Sequence, residues 1–197
     1  SLNTPAPGGG SVSALSGSLG SALCSMVASL THEKKDMLQN RSIMEEIGVK
    51  AQKLKDDLAH LVSEDSRAFN KVLDAVRLPA SSEQDKKEKT KNILLANKYA
   101  IEIPYQTAKK CYEVMQLAEI LIEKGNPSSL TDAGVASEVA FAGLRGGCMN
   151  VLINLPKLID KPYINQKQKE VDNLLKKGER LNRKLFKKTI SSLEMTG

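Results

Sequence analysis

No proline falls between Pro7 and Pro79, and none between Pro127 and Pro156. Proline removes a backbone donor and clashes with the preceding helical turn, so these are the stretches where long helices can form. Within them apolar residues recur at helical spacing. Ile47, Ala51, Leu54, Leu58, Leu61, Phe69, Val72 and Val76 follow steps of three and four, with one gap of eight. Pro104, Ala108, Cys111, Met115, Ala118 and Ile122 form a second stripe, and Val171, Leu174, Leu181 and Leu185 a third. Alternation at period two is nowhere sustained. The pattern predicts an all-α fold, an antiparallel bundle of five or six long helices forming one domain over residues 1–197. The expected spans are 11–31, 42–77, 82–103, 104–124, 129–154 and 163–192. The second would be about 54 Å long at 1.5 Å per residue. Ser82 with Asp85 resembles a capping box, Gly125 fits a helix end, and Ile103-Pro104 is expected to break the chain into two helices.

Composition removes several alternatives. Aromatic residues make up 4% of the 197, with no Trp, which disfavours a base-stacking platform. Three Cys and two His give neither a disulfide framework nor a zinc ligand set. The net charge of +6 is concentrated. Segment 176–188 holds seven basic residues against one acid, and the rest is close to neutral. Such a helix face is most often solvated surface, so no nucleic acid and no membrane partner is expected. Residues 12–30 carry no charge and are long enough to span a bilayer, but six Ser and two Gly dilute them. A buried helix is the better reading. No basic segment precedes it, so it does not read as a secretory signal, and the expected location is cytoplasmic.

Three groups of residues have the chemistry of a site. Gly8, Gly9, Gly10 and Ser11 stand directly before a predicted helix. Consecutive glycines are entropically costly and need a reason. Free amides at a helix start attract anions, and a flexible lead-in is the competing explanation. Asp65 falls in the gap of the 42–77 stripe, four residues from both Leu61 and Phe69. A carboxylate there is expected to face the interior and to need a partner, a raised pKa, or both. Its neighbour Glu64 should point elsewhere. Gly143, Gly147, Asn150 and Asn154 share one face of the 129–154 helix, where two carboxamides beside glycine suit the edge of a heteroaromatic ligand. Asp132 lies near that helix's start, where a plain helix-capping acid is an equal alternative. The three cysteines read as core thiols. On the first helix, Val12, Leu15, Leu19, Leu23, Met26 and Leu30 form an apolar stripe, and Ala14, Ser18, Ser21, Ser25 and Ala28 form a small-residue stripe.

These segments resemble the formimidoyltetrahydrofolate cyclodeaminase and methenyltetrahydrofolate cyclohydrolase family. The resemblance rests on TPAPGGGSVSAL at 4–15, EDSRAFNKVLDAVRLP at 64–79, IPYQTA at 103–108, SLTDAGVAS at 129–137 and NVLINL at 150–155. It implies a homodimeric, all-helical folate enzyme of one-carbon metabolism and histidine degradation. It implies no metal, and no cofactor beyond the tetrahydrofolate derivative that serves as substrate, with a polyglutamate tail as an option. The implied lead reaction closes 5-formimidoyltetrahydrofolate to 5,10-methenyltetrahydrofolate with release of ammonia. Hydrolysis of the methenyl bridge on the same site is the nearest rival, and a non-catalytic helical adaptor is the rival from another class. The resemblance implies Asp65 and Asp132 as an acid–base pair. It further implies Gly8, Gly9, Gly10, Ser11, Asn150 and Asn154 around the substrate, and Lys34 and Lys35 meeting its glutamate tail. The chain departs from the pattern at Glu33, where relatives often have Gly, and at Met37, where they often have an aromatic residue.

Overall fold

The computed structural model describes residues 7–194. Five α-helices account for most of them: α1 (Gly9–His32), α2 (Arg41–Arg77), α3 (Glu83–Lys124), α4 (Leu130–Asn154) and α5 (Lys161–Glu194). Three short 3-10 turns, Lys35–Asn40, Pro127–Ser129 and Leu155–Lys157, join them, and no strand occurs among the described residues. Helices α1 to α4 pack on one another, and α5 lies along α3 and α4. Met44, Leu58, Ile101, Met115, Leu121, Leu144 and Leu185 are fully buried between them.

The expected break at Pro104 does not occur, because α3 runs through it. Proline at position 104 has no N–H to give the carbonyl of Ala100, four residues earlier. That carbonyl instead accepts from Asn154 Nδ2 at 3.1 Å. A side chain from α4 thus replaces the missing helical bond. The start of α3 is as expected: Ser82 Oγ accepts from the Asp85 amide at 3.0 Å, and the Asp85 carboxylate accepts from the Ser82 amide at 2.9 Å.

Helix α1 is oriented by its small residues. Ala14, Ser18, Ser21 and Ala28 are buried, together with Gly17 and Gly20. Ser18 and Ser21 donate to the carbonyls of Lys55 and Ala51 on α2 at 3.0 and 2.7 Å. Two of the six serines that dilute this apolar segment are therefore cross-helix donors, while Ser13 and Ser16 donate to carbonyls of α1 itself. The glycines of α4 continue the close approach. A Cβ on Gly143 would lie 2.6 Å from the Ser13 carbonyl oxygen and 2.8 Å from Cys111 Sγ. Gly143→Ala is expected to destabilise the fold by about 1–3 kcal/mol, read as a lower midpoint in urea.

The consequence is an apolar face turned outward. Val12, Leu15, Leu19, Met26 and Leu30 on α1, and Val135, Met149 and Ile153 on α4, are each 40% or more exposed. Helix α5 carries the buried stripe Val171, Leu174, Leu181 and Leu185. Part of its basic segment is pinned to α3 through Lys184–Glu119 and Lys188–Glu123, at 2.5 and 2.7 Å. Lys167 is buried, pairs with Glu170 at 2.8 Å and lies 3.9 Å over the Tyr105 ring.

Candidate active site

A cavity of about 270 Å³ opens where the start of α1, the second half of α2 and the end of α4 meet. Gly8, Gly9 and Gly10 form one wall, Asp65, Ala68, Phe69 and Val72 a second, and Asn150, Ile153, Asn154 and Lys157 a third, with Ala100 also lining it. Helical periodicity explains this grouping. After Leu61 the buried positions of α2 are Glu64, Ala68 and Ala75. Phe69, Val72 and Val76 belong to the neighbouring face, with Phe69 38% and Val76 50% exposed. The expected core stripe therefore changes register after Leu61. Asp65 is half-buried on the cavity wall, and Glu64 faces the core.

The partner of Asp65 is Ser11. Its hydroxyl donates to Asp65 Oδ2 at 2.9 Å and lies 3.2 Å from the Val62 carbonyl. Ser11 itself is 2% exposed, so it supports the carboxylate from behind and does not line the cavity. Gly10 is required by the same carboxylate, since a Cβ there would stand 2.1 Å from Asp65 Oδ1. Gly10→Ala should displace Asp65 and cut turnover about a hundredfold, a steady-state measurement, while the helical circular dichroism stays native. The first turn of α1 has no side-chain cap among the described residues. Its leading amides have no intrahelical acceptor and so remain available beside the cavity.

The two carboxamides divide their work. Asn150 Nδ2 donates to the Gly146 carbonyl at 2.8 Å, which leaves its oxygen as an acceptor near Gly9. Asn154 Nδ2 serves the carbonyls of Ala100 and Asn150, at 3.1 and 2.9 Å, and its Oδ1 accepts from Lys157 Nζ at 2.7 Å. Every polar atom of Asn154 is thus engaged by the protein, and only Asn150 keeps the edge-reading capacity expected of both.

Asp132, Lys34 and Lys35 are not at this cavity. Asp132 is in the first turn of α4. Eighteen residues at 1.5 Å each put it about 27 Å along the helix from Asn150. Lys34 follows the far end of α1, where Nζ donates to Asn126 Oδ1 at 3.2 Å, and Lys35 is exposed beside it. Because α1 and α4 run antiparallel, the chain has two poles. One holds Gly8 to Ser11, Asp65, Asn150 and Asn154, and the other holds Lys34, Lys35 and Asp132. Within one chain the expected acid–base pair does not form.

Glu64, expected to point away from the interior, is instead the buried carboxylate of this stretch. It is 9% exposed and accepts from the Tyr99 hydroxyl and from Arg67, with His60 Nε2 3.6 Å away. The Tyr99 hydrogen bond, reinforced by Arg67, holds its carboxyl below the usual range. A depressed folded pKa contributes stability that is present above the unfolded value and lost as pH falls through the folded one. Glu64→Gln should therefore lower Tm at neutral pH and flatten its decline on acidification, as thermal melts across pH would record. Lys157, Phe69 and Ile153 were missed. Their signal was weak: a lysine in an LPK turn, a phenylalanine inside an ordinary stripe and an isoleucine just before Asn154.

The thiols of Cys24, Cys111 and Cys148 are buried, and burial pushes each up to about 12, which suits inert core residues. Among the described residues no group of three or more His, Cys, Asp or Glu gathers as a metal site.

Comparison with known proteins places this architecture. The sequence profile of the formiminotransferase-cyclodeaminase family matches residues 1–173. A methenyltetrahydrofolate cyclohydrolase of Methylorubrum extorquens is 36% identical over 184 residues, covering 93% of this chain and 88% of that protein. The formimidoyltransferase-cyclodeaminase of Gallus gallus is 32% identical over 88% of this chain, which spans about a third (32%) of the length of that relative. The crystal structure of a formiminotetrahydrofolate cyclodeaminase from Thermotoga maritima superposes with a TM-score of 0.80 at 27% identity, covering 99% of this chain and 91% of that one. An all-helical enzyme of folate one-carbon chemistry is the class these likenesses define. The chain belongs to the formiminotransferase-cyclodeaminase family.

Proposed function

We propose that the enzyme hydrolyses the one-carbon bridge of 5,10-methenyltetrahydrofolate in the Asp65 cavity. The observation that carries this reading is a single half-buried carboxylate on the cavity wall, backed by Ser11 and set against the first turn of α1. The methenyl bridge is cationic, so a carboxylate favours its binding. Asp65 takes a proton as water adds to the bridging carbon. It then returns that proton to the pteridine-ring nitrogen as the carbon–nitrogen bond breaks, and the added hydroxyl releases its remaining proton to solvent as the carbonyl forms, giving 10-formyltetrahydrofolate. The amides of Gly9 and Gly10 are suited to hold oxygen charge that develops on the tetrahedral carbon. Asn150 Oδ1 accepts from the pterin edge. One carboxylate suffices for this cycle, and the relative that matches along most of its own length carries the cyclohydrolase name. Both points support hydrolysis ahead of the ring closure favoured from sequence.

Ring closure with loss of ammonia is the second reading, supported by the cyclodeaminase names of other relatives. Ammonia departure calls for a proton donor besides the base. The outward apolar face of α1 and α4 supports a homodimer that supplies one. A two-fold axis perpendicular to these helices would set this exposed face, with Val12, Leu19, Met26, Val135 and Met149, against the same face of a second copy running antiparallel. It also lays the Lys34–Asp132 pole of the second copy beside the cavity. In that assembly Asp132 of the second copy joins Asp65 of the first.

Loss of methenyl absorbance and release of ammonia from 5-formimidoyltetrahydrofolate, followed in parallel on the wild-type protein, test the ranking. Hydrolysis is expected to be the faster. Faster ammonia release would reverse the order, and silence in both assays would reject the proposal.

A further inference from the structure

We infer that Lys157, held in place by Asn154, is the binding residue for the carboxylate end of the substrate. The inference rests on the folate reading and extends it to a residue that the sequence did not single out. A cavity of about 270 Å³ is smaller than the ~300–1,000 Å³ typical of sites that enclose a drug-sized ligand. It therefore takes the bicyclic head with its one-carbon bridge, and the aminobenzoyl-glutamate portion has to leave through the mouth.

The mouth is marked by exposure. Gly10 and Ala68 lie in the closed part, whereas Phe69, Ile153 and Lys157 are exposed. Phe69 and Ile153 offer an apolar rim for the aromatic ring. Beyond them Lys157 is the one cation among the described residues that line the cavity. Its ammonium is 2.7 Å from Asn154 Oδ1, and no carboxylate among the described residues pairs with it. Some lysines elsewhere on the helices pair with carboxylates, as Lys98 does with Asp160 at 3.0 Å and Lys110 with Asp57 at 2.7 Å, and it is its place on the cavity wall that sets Lys157 apart. Asn154 is itself fixed by the Ala100 and Asn150 carbonyls. The anchor therefore descends from the proline in α3, through Ala100 and Asn154, to the ammonium. Holding the ammonium on a neutral acceptor leaves its charge uncompensated, ready for a charge-assisted hydrogen bond to a carboxylate.

The test compares methenyltetrahydrofolate with its glutamate diamide, which keeps the skeleton and removes both carboxylates. Lys157→Ala is expected to raise KM for the first roughly tenfold and for the second less than twofold. Lys157→Arg should restore most of the difference, and Lys161→Ala, on the exposed start of α5, should change neither substrate. Equal effects on both substrates, or no effect on either, would overturn the inference. If the wild-type protein turned over neither substrate, the activity reading would fall. Calorimetric Kd values for 5-formyltetrahydrofolate against its glutamate diamide would then decide Lys157 independently. A tenfold preference for the free carboxylates that Lys157→Ala abolishes supports the inference, and a preference that survives the substitution rejects it.

Discussion

Asp65→Asn is expected to lower kcat for the favoured one-carbon reaction by about 10²- to 10⁴-fold, the range supplied by a positioned proton-transfer group. The substitution is nearly isosteric. Asn keeps an oxygen to accept from Ser11, which is 2.9 Å from the carboxylate in the native protein. The fold should therefore melt close to wild type, and the loss will report chemistry. Only the proton-accepting charge disappears. Ser11→Ala should produce a smaller fall, because it removes the support and leaves the carboxylate. Asp65→Asn turnover within threefold of wild type would remove Asp65 from the mechanism.

The second large effect concerns the α1–α4 face. Leu19 is 56% exposed in the isolated chain and lies near the middle of the α1 stripe. Under the perpendicular two-fold arrangement it packs against the second copy, where an unpaired carboxylate is strongly disfavoured. Leu19→Asp should convert the protein to a monomer by sedimentation or light scattering. It should also abolish ammonia release, because Asp132 of the second copy no longer reaches the cavity. Subunit mixing sharpens the argument. Asp65→Asn and Asp132→Asn subunits would each be inactive for ammonia release alone. Their mixed dimer holds one intact site, so random mixing should recover about a quarter of wild-type activity. No recovery, with dimers demonstrably mixed, would contradict the two-pole assembly.

Much of this was legible in the sequence where one physical rule acts alone. Proline spacing and the three-four periodicity located α1, α2, α4 and α5 within a few residues, and the Ser82–Asp85 box marked the start of α3. The rule failed where a tertiary contact overrode it. Pro104 should have ended a helix, but Asn154 lies 54 residues from Ala100 and its service to that carbonyl has no local signature. The α2 register was misjudged because Phe69, Val72 and Val76 look more like core than Ala68 and Ala75, although the small residues make the contact with neighbouring helices. The same inversion occurs on α1, where serine and glycine are buried and leucine is exposed. Sequence also grouped residues by chemistry without distance. Asp65 and Asn150 do share a cavity, whereas Asp132 is about 27 Å along α4 from Asn150.

The central claim is that a reduced folate places its one-carbon bridge in the cavity between Gly10, Asp65 and Asn150. Calorimetric titration with 5-formyltetrahydrofolate, on the wild type and on an Ala100→Phe variant whose ring fills that cavity, tests it most directly. Saturable binding at one site per chain, lost in the filled variant with its melting curve intact, is the predicted result. Undetectable binding by the wild type, or equal binding by both proteins, would contradict it.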